Sequence, residues 1–393
     1  MATTKDKKIK LLIATEYLNE GGVGRQIQYL AQHLDDKRFD VHLAVLRNKD
    51  IFFTDLLNNE KVRVHVLSRG KQSEIRTWLG LTGLCRQLRP DILHLFGGRA
   101  NHLGGFSSMF VHMPIVLFSV RSANNRVVNH LLYRFLKSRQ TLTIVNSQGN
   151  KKELVGRAGY REQEVLVMEN LLDTATFRPC SASQRAAAKQ RLGFDCNTTL
   201  LACVGRLARQ KNQLATLKAL RQLKDAGRLP VSFQFLFVGR PYEASYASTV
   251  YRLHQSADLQ KVSRFLDPVE DAVSLYNALD GIFQPSTYEG LSNVVIEAQA
   301  CGTLVALSRE SDNDRLVRDG ETGLTFSLQR EDEIVQALER LIVLSQDAKR
   351  RQRIVEQAQS EVEQRFSVQR GILALQALYF DLLDSRKKKE GLG

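Results

Sequence analysis

Short apolar runs recur through the first 150 residues, with amphipathic stretches between them. IKLLIAT (9–15), VHLAVL (41–46), VRVHVL (62–67), DILHLF (91–96), PIVLFSV (114–120) and LTIVNS (142–147) are continuous rather than alternating. A strand with one wet face alternates; a strand covered on both faces does not. The intervening GRQIQYLAQHLDD, EIRTWLGLTGLCRQL and NRVVNHLLYRFLKSR carry helical spacing. Strand, helix and strand in succession imply right-handed crossovers and a parallel sheet. The rhythm breaks at 173–197, around Pro179 and a Ser/Ala-rich stretch. It restarts with TLLACVG (199–205), VSFQFLFVG (231–239), KVSRFL (261–266), GIFQPS (281–286), TLVALS (303–308) and GLTFSL (323–328). The pattern predicts an α/β chain of two doubly wound units joined near 173–197. A long polar helical stretch over 330–364 and a last helix ending in Lys387-Lys388-Lys389 follow.

Composition agrees with this division and narrows the function. A chain of 393 residues exceeds what one core usually supports, and 43 % hydrophobic with 25 % charged residues is ordinary for a globular protein. The five cysteines are scattered with no redox or zinc spacing, which points to a reducing, cytoplasmic compartment. No run reaches 18 apolar residues, so no membrane crossing is expected. The net charge of +14 is uneven: residues 1–173 hold 26 basic and 16 acidic residues (+10), and the rest 30 and 26 (+4). Such an excess attracts anionic partners, or is simply a solvated basic surface. No aromatic-interleaved basic patch or nucleic-acid module accompanies it, so nucleic acid is not expected as a partner.

Three motifs carry chemistry. NEGGVGRQ (19–26) follows the first strand and opens a helix, where glycines and a helix N-terminus suit an anion. It is not the dinucleotide fingerprint, and no acidic residue closes the second strand, where Arg47 comes first. A plain tight turn remains the alternative. VGRLARQKNQ (204–213) places Arg206 and Lys211 between a strand end and a helix start, a setting for a diphosphate. In PSTYEGLSNVVIEAQACG (285–302), Glu289-Gly290 follows a buried strand. Ser292 or Asn293 is positioned to cap a helix that Gly302 ends. Glu289 thus falls at a strand's C-terminal edge, where open α/β sheets bind ligands, with Glu297 on the helix behind it and the amides of 290–293 toward a negative group.

These stretches together resemble glycosyltransferase family 4, the retaining, nucleotide-sugar-dependent enzymes of the GT-B fold. The resemblance rests on PSTYEGLSNVVIEAQACGTLVALS, VGRLARQKN, MENLLDTATFRP, LVRDGETGLTF and GGVGRQIQYLAQHL, and spans most of the chain. It implies an acceptor-binding domain over 1–173, joined by the crossing-back helix 367–393. It implies a nucleotide-sugar domain over 174–366, the two facing across a cleft. It implies that Arg206 and Lys211 neutralise the departing diphosphate, that Glu289 meets the donor sugar and that Glu297 holds the ribose diol. By the same resemblance Gly290, Leu291, Ser292 and Asn293 contact sugar or phosphate, Phe265 and Leu266 border the base, and Gly21, Gly22 and Val23 close over the donor. No cofactor and no metal are implied. Asp312-Asn313-Asp314 has the look of a metal-binding triplet but reads as a helix cap.

Two departures stand out. The family's second loop glycine is Ser292 here, which leaves the sugar open. The family's histidine after the strand matching PIVLFSV is replaced by Ser119-Val120-Arg121-Ser122. His94 and His102 are therefore read as lying near the cleft rim, structural or acceptor-side rather than catalytic, with Arg121 an acceptor-side charge at that edge. The expected partners are a nucleotide-sugar donor, with UDP favoured, and a glycan or lipid-linked acceptor in cell-surface polysaccharide or glycolipid synthesis. The basic stretch 125–139 either lies on an anionic membrane or packs on the sheet. A second hypothesis keeps the fold and the binding but not turnover: an inactive sugar-nucleotide-binding partner subunit.

Overall fold

The computed structural model describes residues 8–18, 22–47, 60–68, 73–121, 127–311 and 315–391. The chain forms two compact units, one of Met1–Leu171 with Val368–Gly393 and one of Leu172–Ser367.

Unit 1 holds β1 (Ile9–Thr15), β2 (Phe39–Val45), β3 (Val62–Val66), β4 (Ile92–Phe96), β5 (Ile115–Val120), β6 (Leu142–Val145) and β7 (Val165–Val167). They pair in parallel in the order β3-β2-β1-β4-β5-β6-β7. Period two still operates inside each apolar run. Leu11, Ile13, Ile92 and Leu117 face one side of the sheet, with the Gly22–His33 helix and the final helix Val368–Lys389. Leu12, Ala14, Leu93, Leu95 and Phe118 face the other, against helices that include Glu74–Leu88, Gly98–Ser107 and Val127–Leu136. Burial on both faces is why the runs do not alternate in sequence. The final helix buries Val368, Ile372, Leu375 and Tyr379 against unit 1. In the helix Val127–Leu136, Tyr133 and Leu136 pack inward, while Leu131 and Phe135 stand outward at 61 % and 60 % exposure. That helix carries apolar side chains on both sides.

Unit 2 holds β8 (Thr199–Val204), β9 (Phe233–Val238), β10 (Ser263–Leu266), β11 (Gly281–Gln284), β12 (Leu304–Ser308) and β13 (Leu324–Phe326). The order β10-β9-β8-β11-β12-β13 repeats that of the first six strands of unit 1. Strand order reverses beside β1 in unit 1 and beside β8 in unit 2. In doubly wound sheets the ligand crevice lies there, outside the strands' C-terminal ends. The polar stretch expected as one helix over 330–364 is two, Glu331–Gln346 and Ala348–Phe366. Asp347 separates them because its side chain accepts from the Arg350 amide (3.0 Å) and caps the second. Among the described residues no helix is long and apolar enough to cross a membrane.

Candidate active site

In unit 2 the site grows from two glycines at adjacent strand ends. Gly205 follows β8 at φ 146° and Gly239 follows β9 at φ 148°. A Cβ on Gly239 would lie 2.2 Å from the Gly205 carbonyl oxygen, and one on Gly205 would lie 3.0 Å from Lys211 Cε. The absent side chains let the chain after β8 fold tightly over the strand ends. A short 3₁₀ turn, Arg209–Lys211, follows, and Asn212 at φ 51° turns the chain into the Gln213–Asp225 helix. Gln213 Nε2 donates to the Arg206 carbonyl (2.9 Å) and braces this loop from the helix.

The loop after β11 is tied to it. The Thr287 amide donates to the Gln210 carbonyl (2.8 Å), and Gln210 Nε2 donates to the Tyr288 carbonyl (3.0 Å) and to Glu289 Oε2 (3.4 Å). Lys211 Nζ forms an ion pair with Glu289 Oε1. Both side chains are largely buried, so the pair is poorly screened and geometrically held. It stands at the reversal between β8 and β11. The sequence places Arg206 and Lys211 as one cationic pair, but they divide. Arg206 is exposed and its guanidinium lies 4.1 Å from the centre of the Tyr242 ring, a cation–π contact that keeps it extended.

Behind the loop runs the Asn293–Ala300 helix. Ser292 occupies its cap position without a side-chain capping bond, so the expected hydroxyl cap is absent. Gly302 ends it at φ 78°. Leu291 is buried in the unit 2 core, so only its backbone is placed to reach a ligand. Glu297 is buried, and its Oε2 accepts from the Tyr276 hydroxyl (2.9 Å). Tyr276 lies on Ala272–Ala278, 21 residues earlier, and no local pattern announces it. Ser286, just past β11, has a buried hydroxyl with no hydrogen-bond partner among the described residues, while its carbonyl accepts from Ser308 Oγ (2.5 Å). The Phe265 ring stacks on Phe237 (5.0 Å between centroids) and meets Tyr251 and His254 edge-on, so it faces the core. The Leu266 carbonyl accepts from the Gly239 amide (2.9 Å). The Phe265 ring is thus engaged with the core, which leaves the main chain of 265–266 for the expected base contact. Burial pushes the Cys203 and Cys301 thiols up to about 12, so both are inert packing groups here.

In unit 1 the acceptor-side residues separate. His94 sits inside β4, fully covered, rather than at a rim. Its Nδ1 pairs with the Tyr379 hydroxyl (2.7 Å) and its Nε2 with Ser119 Oγ (2.9 Å). Burial, helped by the nearby Arg121 charge, pushes its pKa down to about 3, so the ring is neutral. His102 lies on Gly98–Ser107 with its ring 5.4 Å from that of Tyr133; burial lowers its pKa, and its Nε2 is buried without a partner among the described residues. Arg121 directly follows β5 in the register of Leu117 and Ser119, which directs it to the His94 side. Its Nη1 donates to Asn170 Oδ1 (2.9 Å). Gly22 and Val23 open the Gly22–His33 helix; Gly21 and the triplet Asp312-Asn313-Asp314 lie outside the described residues.

Comparison with known proteins now decides the family. The profile for Glycosyltransferase Family 4 matches residues 20–176, and that for Glycosyl transferases group 1 matches 184–361. The chain belongs to glycosyltransferase family 4. A curated relative from Corynebacterium diphtheriae, a D-inositol 3-phosphate glycosyltransferase, is 26 % identical over 61 % of this chain and 60 % of its own length. The chain thus spans about three fifths of the first curated relatives it matches. An Escherichia coli UDP-Gal:alpha-D-GlcNAc-diphosphoundecaprenol alpha-1,3-galactosyltransferase is 23 % identical over 89 % of this chain and 91 % of its own. Among solved structures, Anabaena Alr3699/HepE in complex with UDP and glucose superposes with a TM-score of 0.82 at 20 % identity, covering 95 % of this chain and all of that one. A sucrose-phosphate synthase from Thermosynechococcus elongatus gives 0.81 at 18 % identity, covering 96 % and 100 %. The family 4 chain has the GT-B fold.

Proposed function

We propose that this chain is a retaining hexosyltransferase that needs no metal and takes its sugar from a nucleoside diphosphate sugar, with a UDP-sugar favoured. The observation that carries this reading is the Lys211–Glu289 pair across the β8/β11 reversal. Lys211 supplies a fixed positive charge beside the tight Gly205 turn, and Arg206 supplies a second, exposed one over the Tyr242 ring. In the reaction the anomeric carbon–oxygen bond to the diphosphate breaks as the bond to the acceptor oxygen forms on the same face. The acceptor hydroxyl's proton goes to the departing diphosphate. Lys211 and Arg206 stabilise the charge that develops there, and stabilisation of this kind lowers the barrier of such a step more than any other single effect. Glu289 is held by Lys211 and Gln210 toward the sugar hydroxyls, and Glu297, oriented by Tyr276, takes the ribose diol. The UDP-Gal named for the E. coli relative and the UDP bound in the Anabaena complex favour that nucleotide. Release of UDP from a panel of UDP-sugars, abolished in Lys211→Ala, tests the reading. Turnover of GDP- or ADP-sugars alone would overturn the choice of nucleotide.

The acceptor side of this reading is a glycan or lipid-linked acceptor on unit 1, used in the cytoplasm at the inner face of the membrane. Its support is the charge of one stretch of the chain together with exposed apolar side chains on it. From Ile75 to Lys152 the chain carries eleven Lys and Arg and a single acid, Asp91. That is +10, as large as the whole excess of residues 1–173. Leu131 and Phe135 on the Val127–Leu136 helix, and the 58 % exposed Phe110 in the turn after Gly98–Ser107, face outward, with Phe135 near Phe106 and Phe110 against Trp78. Exposed apolar side chains among cations suit an anionic lipid surface. Co-sedimentation with vesicles containing phosphatidylglycerol should fall several-fold in Leu131→Ser/Phe135→Ser. Binding at background level in the parent protein would sink the membrane part alone.

A further inference from the structure

Arg121 is a half-buried cation of unit 1 with no counter-charge among the described residues. Among the described residues its guanidinium has one hydrogen bond, Nη1 to the neutral Asn170 amide oxygen. Its Nε is buried and unpartnered, and no carboxylate among the described residues forms an ion pair with it. The groups packed nearest to it are not anions. His94 is neutral, the Tyr379 hydroxyl keeps its proton because burial raises its pKa, and the Phe96 ring centre lies 5.6 Å away. Burial lowers the pKa of Arg121 itself to about 10, which leaves it charged at neutral pH. A charge withdrawn from water is normally paired, because unpaired it forfeits its hydration. With its Nε buried and unpartnered among the described residues, the guanidinium has bonding capacity that the protein leaves unused.

The geometry says what it awaits. Asn170 holds Nη1, which fixes the plane of the fork and leaves the Nε–Nη2 edge unused. That edge carries two parallel N–H groups, spaced for two oxygens of one oxyanion. The guanidinium borders a small pocket shared with Gln26, His94, Met168, Glu169 and Leu171. Gln26 is committed elsewhere: it donates to the Leu171 carbonyl (2.9 Å) and accepts from the Leu171 amide (2.6 Å), so it walls the pocket rather than filling it. Strand register puts Arg121 at the C-terminal end of β5, the ligand edge of unit 1.

We infer that the Nε–Nη2 edge of Arg121 binds an oxyanion of the acceptor, a phosphate ester or a carboxylate, with Asn170 as the positioning residue. The inference rests on unit 1 being the acceptor side. His94, Ser119 and Tyr379 form a neutral floor beneath that edge, and Glu169 stands in the wall of the same pocket. Bound anion converts an uncompensated cation into a paired one, so the acceptor stabilises unit 1 as it binds.

The full chain with Lys211→Ala is the protein to test, because that change weakens the expected diphosphate site. The single tryptophan, Trp78, lies in unit 1, so its fluorescence reports unfolding of that unit. Phosphate and acetate are titrated at constant ionic strength. A phosphate ester site predicts a rise of about 3 °C in the midpoint with phosphate and little with acetate; a carboxylate site predicts the reverse. Arg121→Gln should abolish the rise, and Arg121→Lys should reduce it, since a point charge lacks the fork. If Arg121→Gln fails to fold, Asn170→Asp carries the test: the added carboxylate should stabilise unit 1 without ligand and remove the response. An equal response in parent and Arg121→Gln, or none to either anion in the parent, overturns the inference. UDP titration of the chain with Lys211 intact reads the donor site separately, so the two failures are distinguishable.

Discussion

The two units share a strand order and differ in how they treat charge at the ligand edge. Unit 2 pairs its charges before any ligand arrives: Lys211 with Glu289, and Gln210 tying both loops. Unit 1 pairs Arg99 with Glu16 and Glu74 but leaves Arg121 without an ion pair among the described residues, beside the neutral His94. A paired site keeps its geometry but must give up a contact when ligand binds. An unpaired site gains most of its electrostatic stabilisation from the ligand. The fold sets where the edge is, and the side chains set which strategy operates there.

The largest effect expected is on unit 2. Lys211→Met should lower the rate of sugar transfer by about two to three orders of magnitude, in the range seen when one preorganised charge donor is removed. Single-turnover assays with UDP-sugar read this directly; a loss under threefold would break the claim that this lysine carries the leaving-group charge. Next is the backbone contact that shapes the loop. Gly239→Ala should destabilise unit 2 by about 3 kcal/mol, because the new methyl meets the Gly205 carbonyl oxygen. Gly227→Ala, at φ 66° with open space around it, should cost only about 1 kcal/mol. Equal midpoints for the two variants in urea would remove the steric argument.

Unit 1 answers to pH instead. The folded pKa of His94, about 3, lies below its usual 6.5, so the folded state binds fewer protons than the unfolded chain. Its contribution is complete above pH 6.5 and is lost as pH falls toward 3. At pH 5 that loss is about 2 kcal/mol. Trp78 fluorescence in urea at pH 7.5 and 5.0 should show a gap smaller by that amount in His94→Gln; an unchanged gap would mean the ring does not titrate this way. The smallest effect is at Arg206. Tyr242→Ala removes the ring beneath its guanidinium and should weaken UDP binding about three- to fivefold. A change beyond tenfold would mean Tyr242 touches the nucleotide.

Much of this is readable in the residues and some is not. Continuous runs such as IKLLIAT give their strands away because both faces are buried. β7, only Val165–Val167 among polar neighbours, has too few residues to show a period. Asp347 splits a long amphipathic stretch by a single cap, and the helical spacing around it runs on undisturbed. In the site, Lys211 and Glu289 are legible because strand ends locate them. The separation of Arg206 onto Tyr242, the bond from Tyr276 to Glu297 and the inward turn of Phe265 are not. Each depends on a partner brought from another element, and local spacing carries no trace of it. His94 reads as a site residue because histidine is common at ligand edges. Its place inside β4, bonded to a tyrosine from the last helix, depends on a contact 285 residues away in sequence.

The central claim is that the β8/β11 edge of unit 2 is built for a nucleoside diphosphate. Calorimetric titration of UDP, GDP and ADP into the full chain and into Glu297→Ala tests it most directly. The account predicts that UDP binds preferentially, and that Glu297→Ala weakens it at least tenfold by removing the group that holds the ribose. Equal binding of all three diphosphates, unchanged in Glu297→Ala, would contradict it.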